Sequence, residues 1–327
     1  MLDITAPNSL IAAIPFVLGF RPENSMLVVT VADKVLGAVM RVDLDGDTAE
    51  YTGRLAIAAA SQGADEAVVV VVDAHGEDRS HTELIDTFTD ALTIRGVRLL
   101  GAFVVDEITA GGRWHCPDGC GAGGALDDPA TSVLAAAAVL DGRRVYANRR
   151  EMQSLVTRDS RRSEAVRAAS SPASAPGDPR AAVDYVMDAA RCLAEGQAPG
   201  DDRLACVAGA LLDKEVRDML LAFALTSDSG AAETFWAMLA RSLPAPSRVE
   251  ALTLLAAYTY IRGDGVMAGI ALTAALEEDA AHVLASMLDT ALESGMQPDK
   301  IKALAELGYR LAREAGIELP AQLENTV

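Results

Sequence analysis

The chain has 327 residues, more than the roughly 100–200 that are typical of one domain, so two domains are expected. Half of the residues are hydrophobic but only 4% are aromatic, which favours closely packed helices and buried strands over an aromatic binding groove. The formal net charge of −19 would repel phosphate backbones and anionic lipid surfaces. Neither nucleic acid nor a membrane is therefore expected as a partner.

The N-terminus, Met1-Leu2-Asp3-Ile4, lacks the basic start and the continuous apolar core of a signal peptide. No stretch reaches the roughly 18 uninterrupted apolar residues that a membrane-spanning helix needs. Cys192 and Cys206 lie in Ala/Leu-rich helical surroundings, where buried free thiols are the simplest expectation. Together these features predict a cytoplasmic protein in a reducing compartment.

The first half of the chain has the pattern of an α/β domain. Apolar runs at 25–31 and 35–44, separated by a polar turn at 32–34, predict a β-hairpin. A helical pattern at 48–62 follows, and then a β-branched run at 66–72, which is typical of a strand buried on both faces of a sheet.

The segment Ser80-His81-Thr82-Glu83 has the capping-box pattern of a helix start. We expect this helix to end near Ile94 and to lead into a strand over 98–108. The order of strand, helix and strand predicts a mixed sheet with at least one right-handed parallel crossover. Helices at 129–140 and 149–156 are expected to close the domain, the second with a capping-box-like pair of Asn148 and Glu151.

The second half of the chain is helical in pattern. Residues 168–180 are rich in Ala, Ser and Pro and predict a linker, after which apolar residues recur at helical spacing. Residues 252–280 match one tetratricopeptide-type helical hairpin, although any two antiparallel helices pack with similar spacing. We therefore predict an α/β domain with a mixed sheet over 1–167 and an all-α domain of helical hairpins, tetratricopeptide-like in part, over 181–327.

A glycine-rich loop in the α/β half combines two cysteines with a histidine and a tryptophan. A structural zinc site needs about four ligands and a catalytic site about three plus water. The loop offers two cysteines, a histidine and Asp118, but no second Cys/His pair stands nearby, so a distant His75 or His81 would have to complete a site. A structural turn, a zinc site and a redox disulfide all remain open, and no cofactor is predicted beyond zinc as an alternative. The loop residues concerned are Arg113, Trp114, His115, Cys116 and Cys120.

A second polar cluster is the segment 19–25, just before the first strand. Pro22 and Asn24 suit a tight turn. As an alternative, Arg21, Asn24 and Ser25 could converge on a ligand from the end of the strand. No glycine-rich phosphate loop follows a predicted strand in the right place, and the patterns G-x-x-x-x-G-K and G-x-S-x-G are missing, so the sequence gives no support for a phosphate-binding loop or a nucleophile elbow.

Residues 143–167 hold eight arginines and form a basic stretch in an acidic chain. Arginines of this kind bind anionic ligands or nucleic acid, or they pair with acidic surface of the same protein. Because Tyr146 is the only aromatic residue in this stretch, nucleic acid is not expected, and pairing within the protein is the favoured interpretation.

Several segments occur in an order that resembles a known family, the domain of unknown function 4192 family. They are residues 15–25 (PFVLGFRPENS) before a Val-rich strand, Arg41-Val42-Asp43-Leu44, the loop 114–124, Asn148-Arg149-Arg150-Glu151 and the segment 260–272. The resemblance covers most of the chain and adds Arg41 and Asp43 to the candidate ligand-binding residues. Family members are actinobacterial proteins without an assigned activity, so the resemblance implies no mechanism. Many relatives carry a further cysteine where this chain has Gly121, which implies one ligand fewer for a shared metal site.

The leading hypothesis is a cytoplasmic, non-catalytic binding or scaffolding protein. Its α/β domain would bind a small ligand, and its helical domain a protein partner or a second copy. The alternatives are an enzyme of unknown reaction, with a site between the turn 19–25 and the loop 114–120, and a thiol-based regulatory switch. The candidate ligand-binding residues are Arg21, Asn24, Ser25, Arg41, Asp43, Arg113, Trp114 and His115, and the candidate metal or redox residues are Cys116 and Cys120.

Overall fold

In the computed structural model of the chain, residues 6–32, 35–44, 48–74, 78–140, 144–170 and 177–323 are described. The chain divides into two compact units. The first comprises Met1–Met152 and Glu293–Met296, and the second comprises Gln153–Leu292 and Gln297–Val327. The domain limits given above, 1–167 and 181–327, stay a prediction. His75 and part of the polar turn at 32–34 and of the linker lie outside the described residues.

The first unit is α/β. In chain order its elements are α1 (Pro7–Leu18), β1 (Ser25–Ala32), β2 (Val35–Asp43), α2 (Thr48–Ser61), β3 (Glu66–Val72), α3 (Asp78–Thr93), β4 (Arg98–Val105), β5 (Arg113–His115), β6 (Gly123–Ala125), α4 (Val133–Leu140) and α5 (Arg149–Ser154). A short 3₁₀ turn, Pro129–Thr131, precedes α4.

The six strands form one mixed sheet in the order β2-β1-β3-β4-β5-β6. Only β3 and β4 are parallel, and α3 connects them, which confirms the predicted parallel crossover. Residues at one edge pair in succession across the whole sheet. In order they are Asp43, Ser25, Val72, Val105, Trp114 and Gly124.

The core of this unit explains the central position of β3. Residues 67–72 of β3 are almost fully buried, and their side chains alternate between the two faces of the sheet. On one face they pack on α2 and α3 through residues such as Phe88 and Leu92. A strand covered on both faces needs no polar alternation, as its unbroken β-branched sequence indicated.

Helix α1 was not predicted from the sequence. It carries Pro15 in its interior, and its residues 10–15 are all buried, so it shows neither an amphipathic pattern nor a sequence free of helix breakers. Gly19 ends it in a left-handed conformation with φ 77°, and its amide donates to the carbonyl of Pro15 at 2.9 Å.

Several boundaries differ from the prediction, among them the start of α3 and the end of β4. Helix α3 already begins at Asp78, so Ser80 lies in its first turn and the predicted cap at Ser80 is wrong, because the Ser-x-x-Glu pattern is not confined to cap positions. Strand β4 ends at Val105 rather than at 108. Its continuation turns at Asp106, whose carboxylate accepts hydrogen bonds from the amides of Glu107 at 2.6 Å and Arg113 at 2.7 Å.

The second unit is all-α within the described residues, as predicted. Its helices are α6 (Ser160–Ala169), α7 (Pro179–Ala194), α8 (Asp201–Leu211), α9 (Lys214–Leu220), α10 (Ser229–Ser242), α11 (Ser247–Ile261), α12 (Gly265–Glu278), α13 (Val283–Glu293) and α14 (Pro298–Glu314). A 3₁₀ turn, Leu221–Leu225, follows α9.

The hairpin expected over 252–280 is present as α11 and α12. Gly263 makes the turn in a left-handed conformation with φ 87°, and the carboxylate of Asp264 accepts the amide of Met267 at 2.9 Å to cap α12. Every residue of α11 is buried, including Arg248 and Glu250, so α11 is the central helix of this unit.

Candidate functional site

The sheet brings the two polar segments singled out in the sequence to the same edge. Ser25 begins β1, Trp114 lies in β5, and β3 and β4 stand between them. Adjacent strands are about 4.8 Å apart, so these two residues are separated by about 14 Å. The turn 19–25 and the loop 113–120 therefore lie at the same edge of the sheet, but the strands that carry them are separated by β3 and β4.

Within the turn 19–25, several polar groups form hydrogen bonds that hold the turn in place. The Ser25 hydroxyl is buried and donates to the carbonyl of Glu23 at 2.6 Å, which commits it to the turn. Asn24 adopts φ 43° and its carbonyl accepts the amide of Leu44 at 2.9 Å. Arg21 and Asn24 are exposed to solvent. Of the three predicted ligand-binding residues in this turn, only these two present side chains to solvent.

Arg41 and Asp43 lie on β2 beside this turn. They form an ion pair in which the Arg41 side chain is 12% exposed and the Asp43 side chain 56%. The Arg41 guanidinium also lies 5.6 Å from the centre of the buried Phe20 ring, a cation–π arrangement. Its Nε is buried and has no hydrogen-bond partner among the described residues.

A second arginine, Arg149, lies near Arg41 and Asp43 although it belongs to a distant part of the sequence. The amide of Tyr146 donates to the carbonyl of Gly19 at 2.7 Å, and the amide of Arg21 donates to the carbonyl of Tyr146 at 3.2 Å. This short pairing holds the segment just before α5 against the turn 19–25. Burial lowers the pKa of Arg149, the positive charge of Arg41 lowers it further, and Asp43 opposes both effects.

The end of α5 that carries Arg149 is fixed by its cap. The side chain of Asn148 accepts the amide of Glu151 at 3.0 Å, and the Glu151 carboxylate accepts the amide of Ala147 at 2.7 Å. The predicted capping-box-like pair is thus confirmed, with Glu151 reaching one residue before the cap. Glu151 also pairs with Arg144 at 2.7 Å. Arg149 is the arginine of this helix start that interacts electrostatically with Arg41 and Asp43. We call Arg41 and Arg149 the arginine pair.

Sequence reasoning missed an ionisable contact at the end of β3. Asp73 directly follows that strand, and its carboxylate lies 3.0 Å from Nε2 of His81 in the first turn of α3. His81 is 4% exposed, and its Nδ1 has no hydrogen-bond partner among the described residues. An aspartate directly after a buried strand and a histidine at the next helix start were the available signal.

The loop with the cysteines is a β-hairpin of β5 and β6, which the sequence did not predict. Each strand has only three residues and the second is mainly glycine, so no alternating pattern is visible. Trp114 packs edge to face on Phe103 with ring centres 5.6 Å apart. Trp114 therefore anchors the hairpin to β4, while Arg113 is exposed and His115 is half-buried.

The tip of the hairpin brings three potential ligands together. The sulfur atoms of Cys116 and Cys120 and a carboxylate oxygen of Asp118 all lie within 4.8 Å of one another. Burial, the nearby Cys120 thiol and the Asp118 charge raise the pKa of Cys116 to about 11. Hydrogen bonds from Cys120 lower the pKa of Asp118. His115 is outside this group, and His81 is engaged with Asp73 instead.

The remaining cysteines lie in the helical unit. All four cysteines are free thiols, and Cys192 and Cys206 are half-buried rather than fully buried as expected. The sulfur of Cys192 accepts a hydrogen bond from the guanidinium of Arg203 at 3.7 Å. Regulatory thiols are reactive because a lowered pKa favours the thiolate. The pKa of Cys116 is raised instead, which disfavours its thiolate.

Among the described residues of the basic stretch 143–167, four arginines form ion pairs with acidic side chains: Arg144, Arg158, Arg162 and Arg167. Besides the pair of Arg144 and Glu151, Arg158 contacts Glu278, which also contacts the buried Arg248. In the helical unit a cavity of about 300 Å³ is lined by Tyr258, Glu233 and Arg262 among others. Two of its charged side chains pair with each other, since Arg262 donates to Glu233 at 2.9 and 3.0 Å.

These features define a protein with an α/β unit, an all-helical unit and polar side chains gathered along one sheet edge. The chain belongs to the family described as domain of unknown function (DUF4192), whose model matches residues 7–299. No curated protein and no solved structure matches the chain. Among the described residues, the helices are all too short or too polar to cross a membrane.

Proposed function

We propose that this protein is a non-catalytic binding protein whose α/β unit takes a small anionic ligand, a carboxylate or a phosphate, at the arginine pair. The observation that carries the proposal is that the half-buried Arg149 is close enough to Arg41 for the positive charge of Arg41 to lower its pKa, while the Arg41 side chain is only 12% exposed and pairs with Asp43.

Counted over the described residues alone, the two arginines and Asp43 leave an excess of one positive charge, in a chain whose net charge is −19. Two like charges near each other in a partly buried place raise the free energy of the folded protein unless an anion compensates them. Asp43 compensates one charge and is itself largely in solvent. An anion would compensate the other.

The hydrogen-bonding capacity supports the same ligand class. A guanidinium has five N–H donors in a planar fork that matches carboxylate and phosphate oxygens. Nε of Arg41 is buried and has no acceptor among the described residues. Charge-assisted hydrogen bonds to such donors are stronger than neutral ones, so two oxygens of one ligand would satisfy both arginines.

The test is calorimetric titration of the reduced full chain with inorganic phosphate and, separately, with succinate at constant ionic strength. We expect one site per chain for at least one of the two anions. Arg149→Met keeps the length of the side chain and removes its charge, so the heat of binding should be lost. The matched control is Arg150→Met, because Arg150 is the exposed next residue. Equal binding by the parent protein and Arg149→Met would overturn the proposal.

A second candidate function is an enzyme with its site along the same edge. The observation that favours it is the buried contact of Asp73 with His81 at the carboxyl end of β3, which lies between the turn 19–25 and the hairpin of β5 and β6. Ligands of open α/β sheets bind outside the carboxyl ends of parallel strands. Turnover on a metabolite panel that His81→Asn abolishes and Arg150→Met retains would establish this candidate in place of a non-catalytic protein.

Association of the helical unit with a partner or a second copy stays a prediction. Val283 and Met287 of α13 are 71% and 62% exposed and lie four residues apart, so they share one face of that helix. Native mass spectrometry of the full chain measures the assembly directly, and a monomer at every concentration would contradict self-association.

A further inference from the structure

We propose that Cys116, Asp118 and Cys120 form a zinc-binding site at the tip of the hairpin of β5 and β6, separate from the arginine pair. Two sulfur atoms and a carboxylate oxygen lie within 4.8 Å of one another there. In the part of the chain that the structure describes, no other three His, Cys, Asp or Glu side chains converge in this way.

The spacing of the donors is close to that of a bound ion. With zinc–sulfur distances of about 2.3 Å and zinc–oxygen distances of about 2.1 Å, tetrahedral donors stand about 3.5–3.8 Å apart. The donors here need to approach by about 1.3 Å at most. Cys120 and Asp118 are exposed, so rotations of their side chains meet little resistance.

The backbone conformation at the tip of the hairpin already brings the three ligands together. Gly119 and Gly121 adopt φ 77° and 78°, a region that L side chains rarely enter, and they turn the chain so that both cysteines come together. The amide of Cys116 donates to the carbonyl of Ala122 at 2.9 Å and closes the turn. The amide of Cys120 donates to Oδ1 of Asp118 at 2.9 Å, which holds the carboxylate and leaves its other oxygen for the ion.

Binding has a defined chemical cost. Each thiol loses its proton to solvent when its sulfur binds the ion. Cys116 then gives up the weak hydrogen bond that its thiol donates to the carbonyl of Ala102 at 3.6 Å. Two metal–sulfur bonds outweigh this contact, and affinity should rise with pH because the protons compete with the ion.

The donor set selects the class of metal. Magnesium and calcium take oxygen ligands, so two sulfur donors disfavour them. Copper(I) is satisfied by thiolates and gains little from a carboxylate, whereas zinc accepts both. Three protein donors leave a fourth position for water or an external ligand, which describes an open site rather than a closed structural one.

The experiment uses the reduced, chelator-treated full chain with cobalt(II) as an optical probe for zinc. We expect one cobalt per chain, with a thiolate-to-cobalt charge-transfer band and the visible bands of tetrahedral cobalt, both removed by zinc. Cys120→Ser should abolish the charge-transfer band, and Cys120 is exposed, so this variant is expected to fold. Asp118→Asn should weaken cobalt binding about tenfold, a change equivalent to 1.4 kcal/mol.

Cys206→Ser is the control, because Cys206 is a free thiol of the helical unit. Its charge-transfer band should equal that of the parent protein. The proposal is overturned if the reduced parent protein gives no such band, if Cys120→Ser keeps it, or if Cys206→Ser loses it. Unchanged binding by Asp118→Asn would remove the carboxylate and point to a two-thiolate site, contradicting the zinc assignment. Anion binding at the arginine pair is measured independently, so either proposal can fail alone.

Discussion

Ser25 and Trp114 stand on one line across the sheet, three strands apart, with the last residues of β3 and β4 between them. At about 4.8 Å per strand they are separated by about 14 Å. A ligand that contacts both segments must therefore extend over the ends of β3 and β4, where Asp73 and Asp106 stand. A small anion at the arginine pair does not reach the hairpin, which is why the two proposed sites are treated as independent.

Removing the charge of Arg149 should stabilise the protein when no anion is bound. Arg149→Met removes the repulsion from Arg41 and the cost of burying the guanidinium. Because the site is partly open to solvent, we expect a gain of only about 0.5–1 kcal/mol in the free energy of unfolding. Urea unfolding in a buffer free of phosphate and carboxylate measures this, with Arg150→Met as control. A less stable Arg149→Met variant would show that Arg149 is already compensated within the fold.

The sequence predicted the helices and strands that have a strong hydrophobic periodicity. It did not predict how the residues of the candidate site come together. Strands β1 to β4, the parallel crossover and the helical half have alternating, β-branched or helical patterns that depend on local burial alone. The arginine pair depends on the pairing of Gly19 and Arg21 with Tyr146, a contact between distant segments that no local pattern encodes. The convergence of Cys116, Asp118 and Cys120 depends on backbone turns at two glycines, which spacing alone did not reveal.

Breaking the contact of Asp73 with His81 should destabilise the α/β unit. Asp73→Ala leaves the imidazole of His81 buried without its carboxylate partner. An unsatisfied buried polar group costs about 1–3 kcal/mol. Urea unfolding followed through Trp114 fluorescence, in a Trp236→Phe background, reports on this unit. Asp86→Ala, an exposed position of α3, is the control and should change stability by less than about 0.5 kcal/mol. Equal stability of the two variants would mean that the contact contributes nothing.

Glu250 should make the free energy of unfolding of the helical unit decrease at acid pH. Although burial opposes ionisation, hydrogen bonds from His282 at 3.3 Å and Arg217 at 3.1 Å hold the pKa of Glu250 below its usual value. A lowered folded-state pKa gives stability that is present above the unfolded pKa of about 4.3 and is lost as pH falls through the folded pKa.

The variant Glu250→Gln lacks this contribution. We expect it to be about 1–3 kcal/mol less stable than the parent protein at neutral pH, and the difference should shrink below about pH 4. Urea unfolding followed through the buried Trp236, in a Trp114→Phe background, measures both proteins at each pH. Glu277→Gln changes an exposed carboxylate of the same unit and should show no such pH dependence. A difference that stays constant from neutral to acid pH would contradict the assignment.

Gly123 and Gly124 of β6 should respond differently to a methyl group. A Cβ at Gly123 would lie 2.8 Å from the carbonyl oxygen of Trp114, a backbone atom that moves only with the strand. A Cβ at Gly124 would have its nearest neighbour at 3.6 Å, an ordinary contact. Gly123→Ala should therefore cost about 1–3 kcal/mol of hairpin stability, while Gly124→Ala stays within about 0.5 kcal/mol.

Hydrogen exchange of the Cys116 amide measures this effect locally, because that amide donates to the carbonyl of Ala122 and closes the turn. Its exchange should become faster in Gly123→Ala and remain unchanged in Gly124→Ala. Since the same turn holds the proposed zinc ligands together, Gly123→Ala should also weaken cobalt binding about tenfold, equivalent to 1.4 kcal/mol. Faster exchange with undiminished cobalt affinity would mean that Cys116, Asp118 and Cys120 do not depend on β6 for their arrangement.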